Sequence, residues 1–311
     1  MEKIILDCDP GHDDAIALIM AVLSEKIDLL AVTTSAGNQL PSITLRNALK
    51  ILTLLNVHDV PVSSGNKHPL IKNLITGTSM HGLTGLDGAD LPEPSIPASG
   101  MSAIDLIADT LKKSDDSVTI VVTGPCTNIA LFLSVYPELK SKIKQIVVLG
   151  GGMGIGNWQP TTEFNMLVDP EAAKIVFDAG VPIVMIPLNV SYKAELLESD
   201  LDDIKAIKNP VSKVVSDMLS FYGLQFRKGN IPFKGIPLYD PCTITYLIDP
   251  QIFGGKECNV EIETRGELTS GETIIDYYNL TKRPNNALVL FDINRDGFSH
   301  LLISLLKQYK K

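Results

Sequence analysis

Positive charge is scarce in this chain and nowhere concentrated: 27 Lys and Arg stand against 36 Asp and Glu, a formal net charge of −9 at pH 7. Binding a nucleic-acid polymer draws on clustered Lys and Arg, so the composition argues against a DNA or RNA partner. Long apolar runs are also missing, and with them any segment able to cross a membrane as a helix. Four cysteines, Cys8, Cys126, Cys242 and Cys258, lack zinc or redox spacing and read as reduced, buried small residues instead of a disulfide frame. The first residues pass directly into the apolar Ile4-Ile5-Leu6, which leaves no room for the charged and apolar regions of a secretory signal. The cytoplasm is the expected compartment. Internal repeats and low-complexity tracts are absent.

What the chain does have is alternation. With 311 residues, 45% of them hydrophobic, it can bury a large core, and residues 1–311 are expected to form one domain. Strands are predicted at Lys3–Leu6, Ile27–Thr34, from Val60, at Val118–Val122, Gln145–Leu149 and Val181–Ile186. Helices fall between them at Ala15–Leu23, Pro41–Leu55, Ser102–Lys113, after Thr127-Asn128, and at Pro170–Ala179. The nearly continuous apolar run Val118–Val122 suits a parallel strand covered on both faces. The pattern predicts an α/β fold, a doubly wound, mostly parallel sheet with helices on both faces. Beyond residue 190 it turns helical, with a long segment from Pro210 to Phe226. Strands at Val260–Glu263 and Ala287–Phe291 follow as an antiparallel addition, then a last helix at Phe298–Leu306. The stretch from Ser64 to Pro97, rich in Gly, Pro and Asp, is a long loop of a length that is usually either functional or disordered.

Near the start, in Leu6-Asp7-Cys8-Asp9-Pro10-Gly11-His12-Asp13-Asp14-Ala15, four carboxylates fall within eight residues. Asp7 and Asp9 share one side of the first strand, and Asp13 and Asp14 fall in the first turn of a helix, where negative charge is tolerated. One or two acids suffice to cap a helix. Four at one strand end repel one another, and keeping several ionised calls for a cation or a strong hydrogen-bond network. Oxygen ligands without a Cys or His cluster select a hard ion, Ca²⁺ or Mg²⁺, and a flexible loop-built site leans to Ca²⁺. Ligands of such sheets sit beyond the carboxyl ends of the strands. Asp9, Asn38, Thr123, Met153 and Asn157 each follow a strand and are expected to converge on one crevice.

The acidic stretch resembles the DxDPGxDD cluster of the nucleoside N-ribohydrolases, the inosine-uridine preferring nucleoside hydrolase family. Met80-His81-Gly82-Leu83-Thr84-Gly85-Leu86-Asp87-Gly88 resembles that family's histidine-bearing glycine-rich loop. Pro237-Leu238-Tyr239-Asp240-Pro241-Cys242 resembles its late metal-ligand motif. The resemblance implies one Ca²⁺ held by carboxylates of Asp9, Asp14 and Asp240 and by the carbonyl of Thr123. It further implies a ribose-binding set of Asp13, Asn38, Asn157, Glu163 and Asn165, with Tyr222, Gln225 and Phe226 on the helical segment that lines the base pocket; Met153, by its place after a strand, and Tyr239 are also expected to bind substrate. Glu163 and Asn165, two apart, would point the same way from an extended segment.

The implied reaction is hydrolysis of the N-glycosidic bond of a small-molecule ribonucleoside. Asp9 serves as general base and His81 as the acid for the leaving base. The resemblance also implies a homo-oligomer, a tetramer first. Many relatives carry His directly before the late Asp, where this chain has Tyr239. A phenol with a reference pKa of about 10 is a poorer proton donor than imidazolium, which tilts the expected substrates toward pyrimidine nucleosides, uridine and cytidine. The alternatives are a hydrolase of another N-riboside and a nucleoside-binding or sensing protein. A Mg²⁺ phosphohydrolase with an aspartate nucleophile fits the second Asp pair and the Asn set poorly.

Overall fold

The computed structural model describes residues 1–229 and 231–309. Its first half alternates β1 (Glu2–Cys8), α1 (His12–Leu23), β2 (Ile27–Thr34), α2 (Pro41–Leu54), β3 (Val62–Ser64), α3 (Thr78–His81), α4 (Ala103–Lys113), β4 (Val118–Val122), α5 (Thr127–Val135) and β5 (Ile143–Leu149). Then come α6 (Phe164–Val168), α7 (Pro170–Phe177), β6 (Ile183–Ile186), α8 (Leu188–Ser191), β7 (Glu195–Leu196), α9 (Glu198–Ile207) and α10 (Pro210–Lys228). The chain finishes with β8 (Ile236–Pro237), α11 (Pro241–Ile248), β9 (Phe253–Cys258), β10 (Val260–Ile262), β11 (Thr273–Ile275), β12 (Ala287–Ile293) and α12 (Arg295–Gln308).

Local chemistry sets many of these boundaries. Pro41 and Pro210 stand in the first turns of α2 and α10, where a missing N–H is harmless, and the Asn209 side chain accepts from Ser212 N–H to cap α10. The Ser102 hydroxyl caps α4 by accepting from Asp105 N–H. Along β1 the side chains alternate: Ile4, Leu6 and Cys8 pack into a core with α1, α2, α10, α11 and α12, while Ile5 faces a second core with α4, α5 and α7. The expected helices on both faces are therefore present, and β4 is buried along its whole length.

The eight-stranded sheet runs in the order β3-β2-β1-β4-β5-β6-β12-β9. All neighbours pair parallel except β9 with β12. From β1 the chain first builds outward through β2 and β3, then crosses to the other side through β4. The order thus reverses between β1 and β4, and a crevice opens beyond their carboxyl ends.

Two features at the C-terminal end depart from expectation. Ala287–Ile293 is not part of an antiparallel addition alone: it joins the main sheet parallel to β6, and the antiparallel edge is β9. The sequence Phe253-Gly-Gly-Lys-Glu-Cys258 has neither alternation nor β-branched residues, because β9 is an exposed edge strand. A Cβ at Gly255 would meet Leu290 Cδ2 at 2.8 Å, so glycine lets the two backbones close together. Val260–Ile262 pairs instead with β11 in a separate two-stranded sheet. No helix among the described residues is long and apolar enough to cross a membrane.

Candidate active site

At the end of β1 the turn Asp9-Pro10-Gly11 delivers the chain into α1. Asp14, in the first turn of α1, folds back and collects donors from every side. Its Oδ1 accepts from Asp9 N–H at 3.1 Å and Thr123 Oγ1–H at 2.7 Å. Its Oδ2 accepts from Gly11 N–H at 3.1 Å and Asn38 Nδ2–H at 2.9 Å. One carboxylate thereby ties together the ends of β1, β2 and β4. Asp9 Oδ2 accepts from Asn38 N–H at 2.6 Å, while Asp9 Oδ1 is buried with no partner among the described residues. Asp7 points away from this centre into the second core. There it accepts from Thr33 Oγ1–H at 2.5 Å and Asn128 Nδ2–H at 2.8 Å, and it holds strand ends together.

Asp240 joins the cluster from the N-terminus of α11, and one oxygen each from Asp13, Asp14 and Asp240 lie within 4.8 Å of one another. All three residues are at most 3% exposed. Burial, then the charge of Asp14, pushes the carboxyls of Asp9 and Asp13 above the usual range. Burial, then Asp13, does the same to Asp240. Among the described residues, no Lys or Arg lines the cavity above them. An all-oxygen donor set, crowded, buried and without a counter-cation, with one carboxylate oxygen left unpaired, fits a hard divalent metal ion.

That cavity measures about 300 Å³. Asp13, Asn38, Asn157, Glu163 and Asn165 line its polar side. Tyr222 Oη donates to Asp13 Oδ2 at 3.3 Å. Asn165 Nδ2 donates to the Thr123 carbonyl at 2.7 Å, which leaves that oxygen a second lone pair. The segment from Glu163 to Asn165 is not extended throughout as expected: Glu163 is extended but Asn165 already lies in α6, which Glu163 caps by accepting from the N–H groups of Asn165 (2.9 Å), Met166 (3.1 Å) and Gly151 (3.1 Å). Burial outweighs these bonds and pushes its carboxyl up to about 7. The cap turns Glu163 and Asn165 toward the same cavity by helix geometry.

The apolar side of the cavity is built by Tyr222, Phe226, Phe233 and Tyr239, with Gln225 among them. The Phe226 ring meets Tyr222, Phe233 and Tyr239 edge-on at 4.7, 5.3 and 6.1 Å. His81 ends α3 and lines the wall with its ring 5.3 Å from that of Tyr222. Burial, then its neighbour His12, pushes the His81 imidazole well below its usual range. His12 is pushed down to about 4 by burial.

The structure brings His81, Thr123, Gln225, Tyr239 and Asp240 to the cavity together with the ribose-type set, and seats Asp9 and Asp14 beneath it. Met153 is not brought in: it is 40% exposed, and its N–H donates to Asn189 Oδ1 at 2.7 Å. The three glycines before it let the chain swing away from the strand end. Trp158, Phe164 and Phe233 also line the cavity and were not expected there. Trp158 and Phe164 flank the expected Asn157 and Glu163, which was a usable signal. Phe233 lies in an irregular stretch that gave none.

The sequence profile described as "Inosine-uridine preferring nucleoside hydrolase" matches residues 4–300. The chain is 52% identical over 306 residues to a "Pyrimidine-specific ribonucleoside hydrolase RihA" of Shewanella sp. (strain MR-7), covering 98% of this chain and 96% of the relative. It is 51% identical to a protein of the same name from Escherichia coli O1:K1 / APEC, covering 98% of both. Among solved structures it resembles a "Purine-Preferring Ribonucleoside Hydrolase from Gardnerella vaginalis", with a TM-score of 0.91, 31% identity, and coverage of 98% and 99%. The acid cluster at the strand-order reversal, the polar and aromatic cavity over it, and these matches along nearly the whole chain make this protein a member of the inosine-uridine preferring nucleoside hydrolase family, an enzyme acting on N-glycosyl bonds.

Proposed function

We propose that this enzyme hydrolyses pyrimidine ribonucleosides, uridine and cytidine, to ribose and free base, with one Ca²⁺ in its site. The observation that carries the reading is the buried acid cluster opening into a cavity with five polar side chains on one wall and aromatic rings on the other. The tilt to pyrimidines rests on the relatives at 52% and 51% identity, named pyrimidine-specific, and on Tyr239. Asp9, Asp14, Asp240 and the Thr123 carbonyl would hold the cation, with Asp13 beside them. A hard cation there neutralises the acids and makes adjacent water more acidic.

Asn38, Asn157, Glu163, Asn165 and Asp13 bind the ribose hydroxyls, offering carboxylate acceptors and amide donors in pairs. Asp9, through the unpaired Oδ1, takes a proton from the attacking water. The water oxygen bonds to the anomeric carbon as the C–N bond breaks, and its electron pair leaves with the base. His81 gives that base a proton. The surrounding carboxylates stabilise the positive charge that develops on the sugar. We read residues 1–311 as one domain of a cytoplasmic protein, and the chain as a homo-oligomer, whose subunit number light scattering on the purified protein checks.

Reducing-sugar release from a panel of uridine, cytidine, inosine and adenosine tests the reading. Uridine and cytidine turnover well above that of the purines is expected. Preference for inosine refutes the pyrimidine assignment, and no release from any of the four refutes the activity.

A further inference from the structure

His12 is the first residue of α1, and the mechanism above leaves its ring unused. It is fully buried. Its Nε2 lies 2.9 Å from the backbone carbonyl of Asp87. A carbonyl oxygen can only accept, so in the neutral ring Nε2 carries the proton and Nδ1 is bare. The carbonyl is itself held in place: the Asp87 carboxylate accepts from Leu83 N–H and Thr84 N–H, both at 3.0 Å, and closes the loop. Gly82, at φ +77°, has no room for a Cβ against that carboxylate.

His12 meets His81 twice at one atom. The His12 backbone N–H and the His12 ring Nδ1 each lie 3.2 Å from His81 Nδ1. One is an obligate donor, the other an acceptor. The two rings are nearly parallel, at 20°, and His12 lies against Phe221 and Tyr222 at 15° and 14°, so neither ring is free to turn. His81 Nε2 has no partner among the described residues, while its residue lines the cavity.

We propose that His12 is the positioning residue for His81. In the charged ring, and in the neutral ring left once Nε2 has given its proton to the base, His81 Nδ1 keeps its own proton and donates it to the His12 ring; in the resting tautomer, with the proton on Nε2, Nδ1 accepts from the His12 backbone N–H. His81 Nε2 therefore faces the leaving base throughout a cycle in which it gives up and regains a proton. The inference rests on the assignment of His81 as leaving-group acid. Orientation of an imidazole by a partner on its other nitrogen is a general device, here supplied by a second imidazole instead of a carboxylate.

His12→Phe keeps the stacked ring and the backbone donor but removes the acceptor for protonated His81. A lost hydrogen bond to a charged group corresponds to about a tenfold or larger loss. We expect kcat on uridine to fall by that factor with KM unchanged. Hydrolysis of p-nitrophenyl riboside, whose nitrophenolate leaves without a proton, should hold steady. His12→Asn, which places Oδ1 where Nδ1 stood, should recover most of the uridine kcat. In a His81→Ala background, His12→Phe should have no further effect. Equal losses on both substrates, no recovery by His12→Asn, or additivity with His81→Ala would overturn the proposal. Should His12→Phe not fold, ¹⁵N NMR of histidine-labelled wild type still decides: a proton on His12 Nε2 and a bare Nδ1 support it, and the reverse overturns it. Unchanged uridine turnover in His81→Ala defeats the acid assignment along with this proposal. A large His81→Ala effect without a His12→Phe effect overturns this proposal alone.

Discussion

Ca²⁺ should raise the thermal stability of this enzyme, and should do so more at pH 7.5 than at pH 5.5. Two unit charges 4.8 Å apart, the outer separation of the Asp13, Asp14 and Asp240 oxygens, repel by about 3.5 kcal/mol at an effective dielectric constant of about 20. Without a cation the cluster relieves this by keeping protons, and Asp9, Asp13 and Asp240 are all pushed upward, chiefly by burial. The native state then holds protons that the unfolded chain gives up above about pH 4. This contribution to stability is full below that pH and is lost as pH rises through the native values. A cation competes with the same protons, so its binding strengthens as pH rises. At 100 times its Kd it adds about 2.7 kcal/mol, and at this chain length each kcal/mol moves Tm by about 2 °C. Thermal scans with Ca²⁺ and with EDTA should therefore differ by about 5 °C at pH 7.5 and by well under half of that at pH 5.5. A difference that is equal at the two pH values, or larger at pH 5.5, refutes the reasoning.

Asp9→Asn keeps an oxygen at the site but cannot take the proton of water, so uridine kcat should fall by about 10² or more; near wild-type turnover at saturating uridine points to Asp13 instead. Asp14→Ala should abolish Ca²⁺ binding in a calorimetric titration. It should also lower Tm, because it strips the acceptor from four donors at three strand ends. Tyr239→His should raise kcat on inosine more than on uridine, since only an interaction made in the transition state raises kcat. Equal effects on both substrates make Tyr239 a shaping residue of the pocket. Glu163→Gln keeps the size of the α6 cap but weakens its hold on three N–H groups, so it should raise KM for uridine and lower Tm by a few degrees; unchanged KM removes Glu163 from the ribose set.

Much of the site was legible because it lies where the sheet pattern puts ligands. The acids between Leu6 and Ala15, and Thr123 after the apolar run Val118–Val122, announce two strand ends, and these are the pair between which the strand order reverses. What failed was legible only in three dimensions. Met153 follows a strand in sequence, yet three glycines carry it off the crevice. Strand β9 carries two glycines because an edge strand needs close backbone approach more than side-chain alternation. The spacing of Glu163 and Asn165 suggested extended chain, whereas Glu163 caps α6 with its own carboxylate. His12 carried no assigned role in the sequence, and its contact with His81 spans 69 residues of chain, which no local pattern reveals.

Nucleoside hydrolysis at the buried acid cluster is proposed to require one Ca²⁺ there. Ribose release from uridine, measured after exhaustive chelation and again on stepwise return of Ca²⁺, tests it most directly. Chelation should remove turnover, Ca²⁺ should restore it with saturation at one ion per chain, and Asp14→Ala should stay inactive at any Ca²⁺ concentration. Full turnover in the chelated enzyme, or activity of Asp14→Ala equal to wild type, would contradict it.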